Sequence, residues 1–203
     1  MAITSYSELK TAVANWLADD TLTSYIPDFI TLAEARIYRE LKVRQMETAL
    51  SSAISSGVIA VPSGYTEMKF VYVDGSPIKP LERVNLEALY SRYPTRSADG
   101  KPSVFAREAE NLIFGPYPDS TYTIKGVYYK KLTALSDANT TNWLITDAPD
   151  LILFASLVEA RDFIHDDERV ARWEGRYANA AGMLETQDKN EEFSGSVLSP
   201  RAG

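Results

Sequence analysis

The sequence predicts an α+β protein: a helical bundle formed by the N- and C-terminal helices, with a small antiparallel β region inserted between them. Three observations predict it. Apolar residues near both chain ends recur at helical spacing, the middle carries short β-leaning runs punctuated by turn residues, and no internal repeat of the solenoid kind is present.

The longest helical pattern runs from Asp147 to Leu184. Asp147 has the chemistry of an N-cap, Pro149 falls in the first turn where its missing N–H costs nothing, and Asp150 is placed to complete a capping box. Leu153, Leu157, Ala160 and Ile164 then repeat at helical intervals, flanked by Phe154 and Val158, which makes one wide apolar face. After the acidic break Asp166, Asp167 and Glu168, a second amphipathic helix is expected, with Val170, Trp173, Tyr177, Ala181 and Leu184 on one stripe.

At the other end, Ser5 and Glu8 read as a capping box opening a helix in which Leu9, Val13, Trp16 and Leu17 share a face. A polar link, Asp20 to Ser24, leads to a second helix with Pro27 in its first turn and Ile30, Ala33, Ile37 and Leu41 as its apolar stripe. Glu34, Arg36, Arg39, Glu40 and Lys42 fill its other side. The short link predicts an antiparallel helix pair.

The pattern changes after Arg44. Residues 46–48, 57–61 and 68–73 are β-leaning, and Asp74-Gly75 with Ser76-Pro77 marks a hairpin between FVYV and IKPLERV. Asn85 is placed to cap a short helix that Pro94 terminates, and Asp99-Gly100 marks the turn of the loop that follows. SVFARE and NLIF form a second hairpin, and Tyr122 to Lys131 a longer strand with both faces partly covered. The expected organisation is therefore 1–45, N-terminal helices; 46–135, β insert with one short helix; 136–187, C-terminal helices after a polar linker; and 188–203, a flexible C-terminal arm.

Composition narrows the function. The chain of 203 residues has 45% apolar and 24% charged residues, which is ordinary globular usage. Cysteine is absent, which excludes disulfides, thiolate metal sites and a cysteine nucleophile. The opening MAITSYSELK has neither a basic nor an apolar leader region, and no run approaches the roughly 20 apolar residues that span a bilayer, so cytoplasmic synthesis without membrane association is expected. A formal charge of −7 disfavours binding by phosphate neutralisation, and would suit a surface past which DNA slides.

No stretch carries an evident catalytic signature. His165, the sole histidine, stands beside Asp166, Asp167 and Glu168. Consecutive residues on a helix or tight break point in different directions, so a solvated corner with Asp166 or Asp167 capping the next helix is favoured over a metal site. Glu47, Glu67 and Glu108 lie in or beside the β region as candidates for paired-carboxylate chemistry, for which a separation of about 5 to 10 Å is needed; exposed charges on strands and turns are the simpler reading. Serine-hydrolase, phosphate-loop and dinucleotide motifs are missing. Asn139-Thr140-Thr141 fits a glycosylation sequon and reads as linker. The 12 tyrosines lack the interleaved Lys and Arg of a base-stacking surface. Neither cofactor nor metal is implied, and binding or assembly is favoured over catalysis.

Three stretches, taken in order, resemble the adaptor, or head-to-tail connector, proteins of tailed bacteriophages. They are YSELKTAVANWLADD with YIPDFITLAEARIYREL, the middle LIFGPYPDSTYTIKGVYYKKLTALSD, and the closing TNWLITDAPDLILFASLVEARDFIHDDERVARWEGRYANAAGML. The resemblance implies a structural virion protein at the head–tail junction: a homo-oligomeric ring of twelve copies beneath the portal protein, a platform for tail or nozzle proteins, and a channel that DNA crosses without specific binding. Such a ring closes through heterologous contacts, for which the charged helix faces of Arg36, Arg39, Glu40, Arg172 and Arg176 are the expected donors. The C-terminal arm is expected to reach the portal through Phe193, Val197, Leu198 and Arg201, the anchors in an otherwise polar tail. The alternatives are a tail-accessory enzyme that degrades peptidoglycan and an assembly chaperone absent from the mature virion.

Overall fold

A computed structural model describes residues 2–95, 100–131, 133–163 and 168–192. The architecture is α+β, and the chain divides into two compact units: Met1–Gln45 with Leu132–Gly203, and Met46–Lys131.

In the first unit, α1 (Tyr6–Leu17) starts at Ser5, whose hydroxyl accepts the Glu8 amide at 3.3 Å. The Glu8 carboxylate closes the box one residue earlier than expected, accepting from the Thr4 amide at 2.7 Å and the Thr4 hydroxyl at 2.5 Å. The polar link is itself ordered as one 3-10 segment, Asp20–Tyr25, because Asp19 Oδ1 accepts the Thr21 amide at 2.9 Å and Leu22 is buried beneath it. The helix α2 (Ile26–Glu40) follows, with Pro27 in its first turn.

The return half differs at its entry. Asn142, which ends the polar linker expected over Ser136 to Asn142, caps a short helix α4 (Trp143–Asp147), its Oδ1 accepting the amides of Leu144 and Ile145 at 3.1 and 3.4 Å. Asp147 is thus the end of α4 and does not cap α5 (Pro149–Glu159), which starts at Ala148 with no side-chain cap. The earlier cap consumes the turn that Asp147 was expected to open. A 3-10 turn, Ala160–Asp162, follows, and α6 spans Glu168–Glu192. Ile164, His165, Asp166 and Asp167 lie outside the described residues. Helical structure continues past Gln187, where a flexible arm was expected to begin, because Asp188 Oδ1 accepts from the Arg44 amide at 3.0 Å and from its Nε at 3.3 Å, and Glu191 pairs with the same guanidinium.

The centre of this unit is α5. Leu151, Ile152, Leu153, Ala155, Leu157 and Val158 are all buried, so the helix is apolar around most of its circumference, not on one face. It packs on α1, α2 and α6. Its one buried polar side chain, Ser156, donates to the Ile152 carbonyl at 2.7 Å, so no hydroxyl is left unsatisfied.

The second unit carries two four-stranded sheets. The first has the order β1 (Glu47–Ile54), β8 (Tyr122–Lys130), β3 (Tyr65–Val73), β4 (Lys79–Pro80), and every neighbouring pair is antiparallel. The second has the order β2 (Val58–Ala60), β7 (Asn111–Gly115), β6 (Val104–Glu108), β5 (Glu82–Arg83), with β5 and β6 parallel. The segment IKPLERV is therefore split between the sheets and does not form one hairpin arm. β1 is longer than its sequence suggests: TALSSAI has little β propensity, and its partner β8 supplies the order from Glu47↔Tyr129 to Ile54↔Tyr122.

Residues of both sheets form one core, with Leu50, Ile54, Met68, Val71, Ile124 and Tyr128 from the first and Ile59, Phe105, Leu112 and Phe114 from the second. The alternate residues Val104, Ala106 and Ile113 pack with Leu89 of α3 (Leu86–Arg92), so the second sheet is covered on both faces. Asn85 caps α3, accepting the Ala88 amide at 2.7 Å. In β3 a register shift between Met68 and Phe70 inserts Lys69, which leaves both Lys69 and Phe70 exposed and returns Val71 to the core.

Candidate interaction surfaces

Within the helical unit the charged residues of α2 and α6 sort into an internal network and two outward faces. Arg36 belongs to the network. Its Nε donates to Glu40 at 3.0 Å, its Nη1 and Nη2 donate to the two oxygens of Glu174 at 3.2 and 2.5 Å, and Glu159 lies 3.8 Å away. The guanidinium also sits 4.3 Å from the centre of the Tyr177 ring, and the Tyr177 hydroxyl donates to Glu40. The hydrogen bonds from Arg36 hold the Glu174 carboxyl below its ordinary range, while burial, then the bond to Glu40, pushes the Tyr177 phenol up. Arg36 and Glu40, expected on an outward face, are thus engaged between α2 and α6 of the same chain.

Arg39, by contrast, is exposed, its Nε donating to the Ala35 carbonyl at 3.1 Å. It ends a solvent-facing stripe of α2 formed with Asp28, Leu32 and Ala35, the side opposite Phe29, Ile30, Ala33 and Ile37. Leu32 is 50% exposed and Tyr25, just before the helix, 44%. Asp28 is exposed and makes no ion pair among the described residues.

Arg172 and Arg176 lie elsewhere, at the seam where α6 meets α1. The Arg176 guanidinium lies 5.4 Å from the ring centre of Trp16 and 5.3 Å from that of Phe154, and those two rings meet edge to face at 5.6 Å. Arg169 is 5.5 Å from the Trp173 ring and its Nη1 donates to the Leu17 carbonyl at 3.3 Å. Trp16, Arg169, Arg172, Trp173 and Arg176 line a depression of about 130 Å³. Arg172 is exposed and makes no ion pair among the described residues. Trp16, expected in the core, is 40% exposed.

Sequence reasoning missed Glu34. Read as one of the charged residues on the solvent side of α2, it is 2% exposed. Its carboxylate accepts the Leu135 amide at 3.1 and 3.2 Å and Asn142 Nδ2 at 2.9 Å, fastening the returning chain to α2. The expected linker is ordered by the same means: Asn139 Nδ2 donates to the carbonyls of Thr133 and Ala134 at 3.2 and 2.9 Å, and the Tyr6 amide donates to Thr140 at 2.7 Å. Lys10 pairs with Asp137 at 2.8 Å.

The acidic candidates of the β unit are all engaged, and the register sets Glu47 and Glu67 on either side of Tyr129. Glu47 pairs with Lys69 at 2.7 Å, Glu67 with Arg83 at 3.6 Å, and Glu108 accepts the Tyr90 hydroxyl at 2.9 Å. Among the described residues no group of three or more His, Asp or Glu is placed to hold a metal ion, and no helix is long and apolar enough to cross a membrane. His165 and the arm residues Phe193, Val197, Leu198 and Arg201 lie outside the described residues.

A family profile described as SU10 adaptor protein matches residues 4–201. No curated protein matches the chain. The match takes in nearly the whole sequence, and the chain belongs to the SU10 adaptor protein family, a family of phage adaptors.

Proposed function

We propose, from its membership of that family, that this chain is a structural virion protein that assembles as a ring beneath the portal, joins the capsid vertex to the tail, and performs no catalysis. The observation that carries the reading is the family match over residues 4–201. The exposed side chains of the helical unit support it. Trp16, Tyr25, Leu32, Arg172 and Arg176 are the residue types and exposures of a contact surface, not of a substrate cleft.

In this reading twelve copies close the ring, tail or nozzle proteins bind below it, and DNA passes through the channel. A formal charge of −7 per chain lets the lining pass phosphates without holding them. The arm residues Phe193, Val197, Leu198 and Arg201 reach the portal. Deleting residues 191–203 is expected to weaken portal capture while leaving the helical unit folded; undiminished capture rejects the arm assignment. A peptidoglycan zymogram of the full chain is expected to stay blank, and a cleared band would favour the enzyme reading.

A further inference from the structure

Two faces of the helical unit complement each other and lie on different sides of the bundle. The seam of α1 and α6 offers cations and an indole: Arg172 and Arg176 with Trp16, around the depression of about 130 Å³. The solvent side of α2 offers a carboxylate and apolar bulk: Asp28 between Tyr25 and Leu32. The chain is acidic overall, yet neither Arg172 nor Arg176 has a carboxylate partner within the described residues, and neither does Asp28 a cation. Among the described residues, Trp16, Tyr25 and Leu32 are three of the few large apolar side chains left exposed.

We infer that these faces bind each other between copies: the seam residues Trp16, Arg172 and Arg176 of one subunit receive Asp28, Tyr25 and Leu32 from α2 of the next. This rests on the ring reading above and assigns its contact. The occupant is a second copy because the complementary groups are this chain's own. A patch that meets a different patch, on another side of the same subunit, propagates head to tail and closes when the rotation allows. The arrangement suits a tight contact. Arg176 lies against the Trp16 and Phe154 rings, so it loses little freedom on pairing, and a carboxylate entering the depression can accept from both guanidinium groups while Leu32 and Tyr25 cover the indole.

The absence of cysteine makes the contact directly testable. Full-length Arg172→Cys and Asp28→Cys chains, singly and combined in one chain, are incubated with portal protein and treated with a short bis-maleimide. The combined variant is expected to give a ladder of covalent oligomers ending at the ring's copy number. A mixture of the two single variants is expected to give covalent dimers only, and each single variant alone none. Assemblies that form with portal but yield no link between positions 28 and 172 overturn this contact and leave the ring reading standing. Links of Arg172→Cys to itself show a two-fold contact and overturn it too. A wild-type chain that stays monomeric with portal overturns both. As a second probe that spares the seam's packing, Leu32→Glu, at an exposed position, is expected to abolish the ladder in the combined variant, and an undiminished ladder counts against the contact. Retention of a short DNA duplex by the wild-type chain, lost in Arg172→Glu, would assign the seam to phosphates and overturn the proposal.

Discussion

Asn142 Nδ2 donates to Glu34 Oε1 at 2.9 Å, joining residues 108 positions apart. The bond ties α2 to the start of α4, and Asn142 uses its other side-chain atom, Oδ1, to cap that helix. Replacing Glu34 with Ala leaves the Leu135 amide and the Asn142 side chain short of an acceptor and opens a small void. The expected cost is about 2–4 kcal/mol, read as a lower urea midpoint with an unchanged slope. Wild-type stability in Glu34→Ala would show that the fastening is not needed.

The ion pair of Arg36 and Glu174 sets an acid limit. The carboxyl of Glu174 titrates below its unfolded value of 4.5, so its stabilising contribution is present above pH 4.5 and is lost as the pH falls through the lower, folded value. Arg36→Gln is expected to flatten the stability profile below pH 4.5 relative to wild type, as followed by urea unfolding across pH. An unchanged acid limb would contradict it.

Tyr177 sets an alkaline limit of the opposite sign. Its folded pKa is raised above the ordinary 10.0, so the protonated phenol contributes fully below pH 10.0, and the contribution falls as the pH rises toward the folded value. Tyr177→Phe is expected to lose about 1 kcal/mol near neutrality with the bond to Glu40 and to remove this phenol's share of the alkaline decline. A variant that keeps the full wild-type decline would assign it to another group.

In the β unit, Gly126 of β8 faces the backbone of β3 so closely that a Cβ would lie 2.4 Å from the Phe70 carbonyl oxygen and 3.0 Å from Val71 Cα. Neither atom belongs to a flexible side-chain end, so the strands themselves must part. Gly126→Ala is expected to destabilise the unit by about 1–3 kcal/mol, with amide exchange accelerated in β3 and β8. Unchanged exchange there would mean that the ladder absorbs the methyl group.

How far each element was legible follows from where its information lies. The starts of α1, α2 and α3 depend on Ser5, Pro27 and Asn85, which act within one turn, and these local signals were readable. Glu34 was not, because a helical pattern places it among charged neighbours and its burial comes from Leu135 and Asn142, brought back by tertiary structure. The same holds for α5, whose apolar residues suggested one face where three helices cover it. β1 was truncated in the sequence reading because Ala and Ser carry no strand signal, and the order is supplied by β8. Of the charged helix residues named in the sequence reading, Arg39, Arg172 and Arg176 are exposed. Arg36 is held by Glu174 and the Tyr177 ring from another helix, and Glu40, itself exposed, accepts from Arg36 and Tyr177.

The central claim is that this adaptor-family chain works as a ring seated on the portal. The measurement that tests it most directly is the mass of the particle formed when the full chain is added to portal protein, with the same particle imaged by electron microscopy. The account predicts a single increment equal to a closed ring of subunits, visible as an added annulus with an open channel. A chain that remains a stable monomer and leaves the portal's mass unchanged would contradict it.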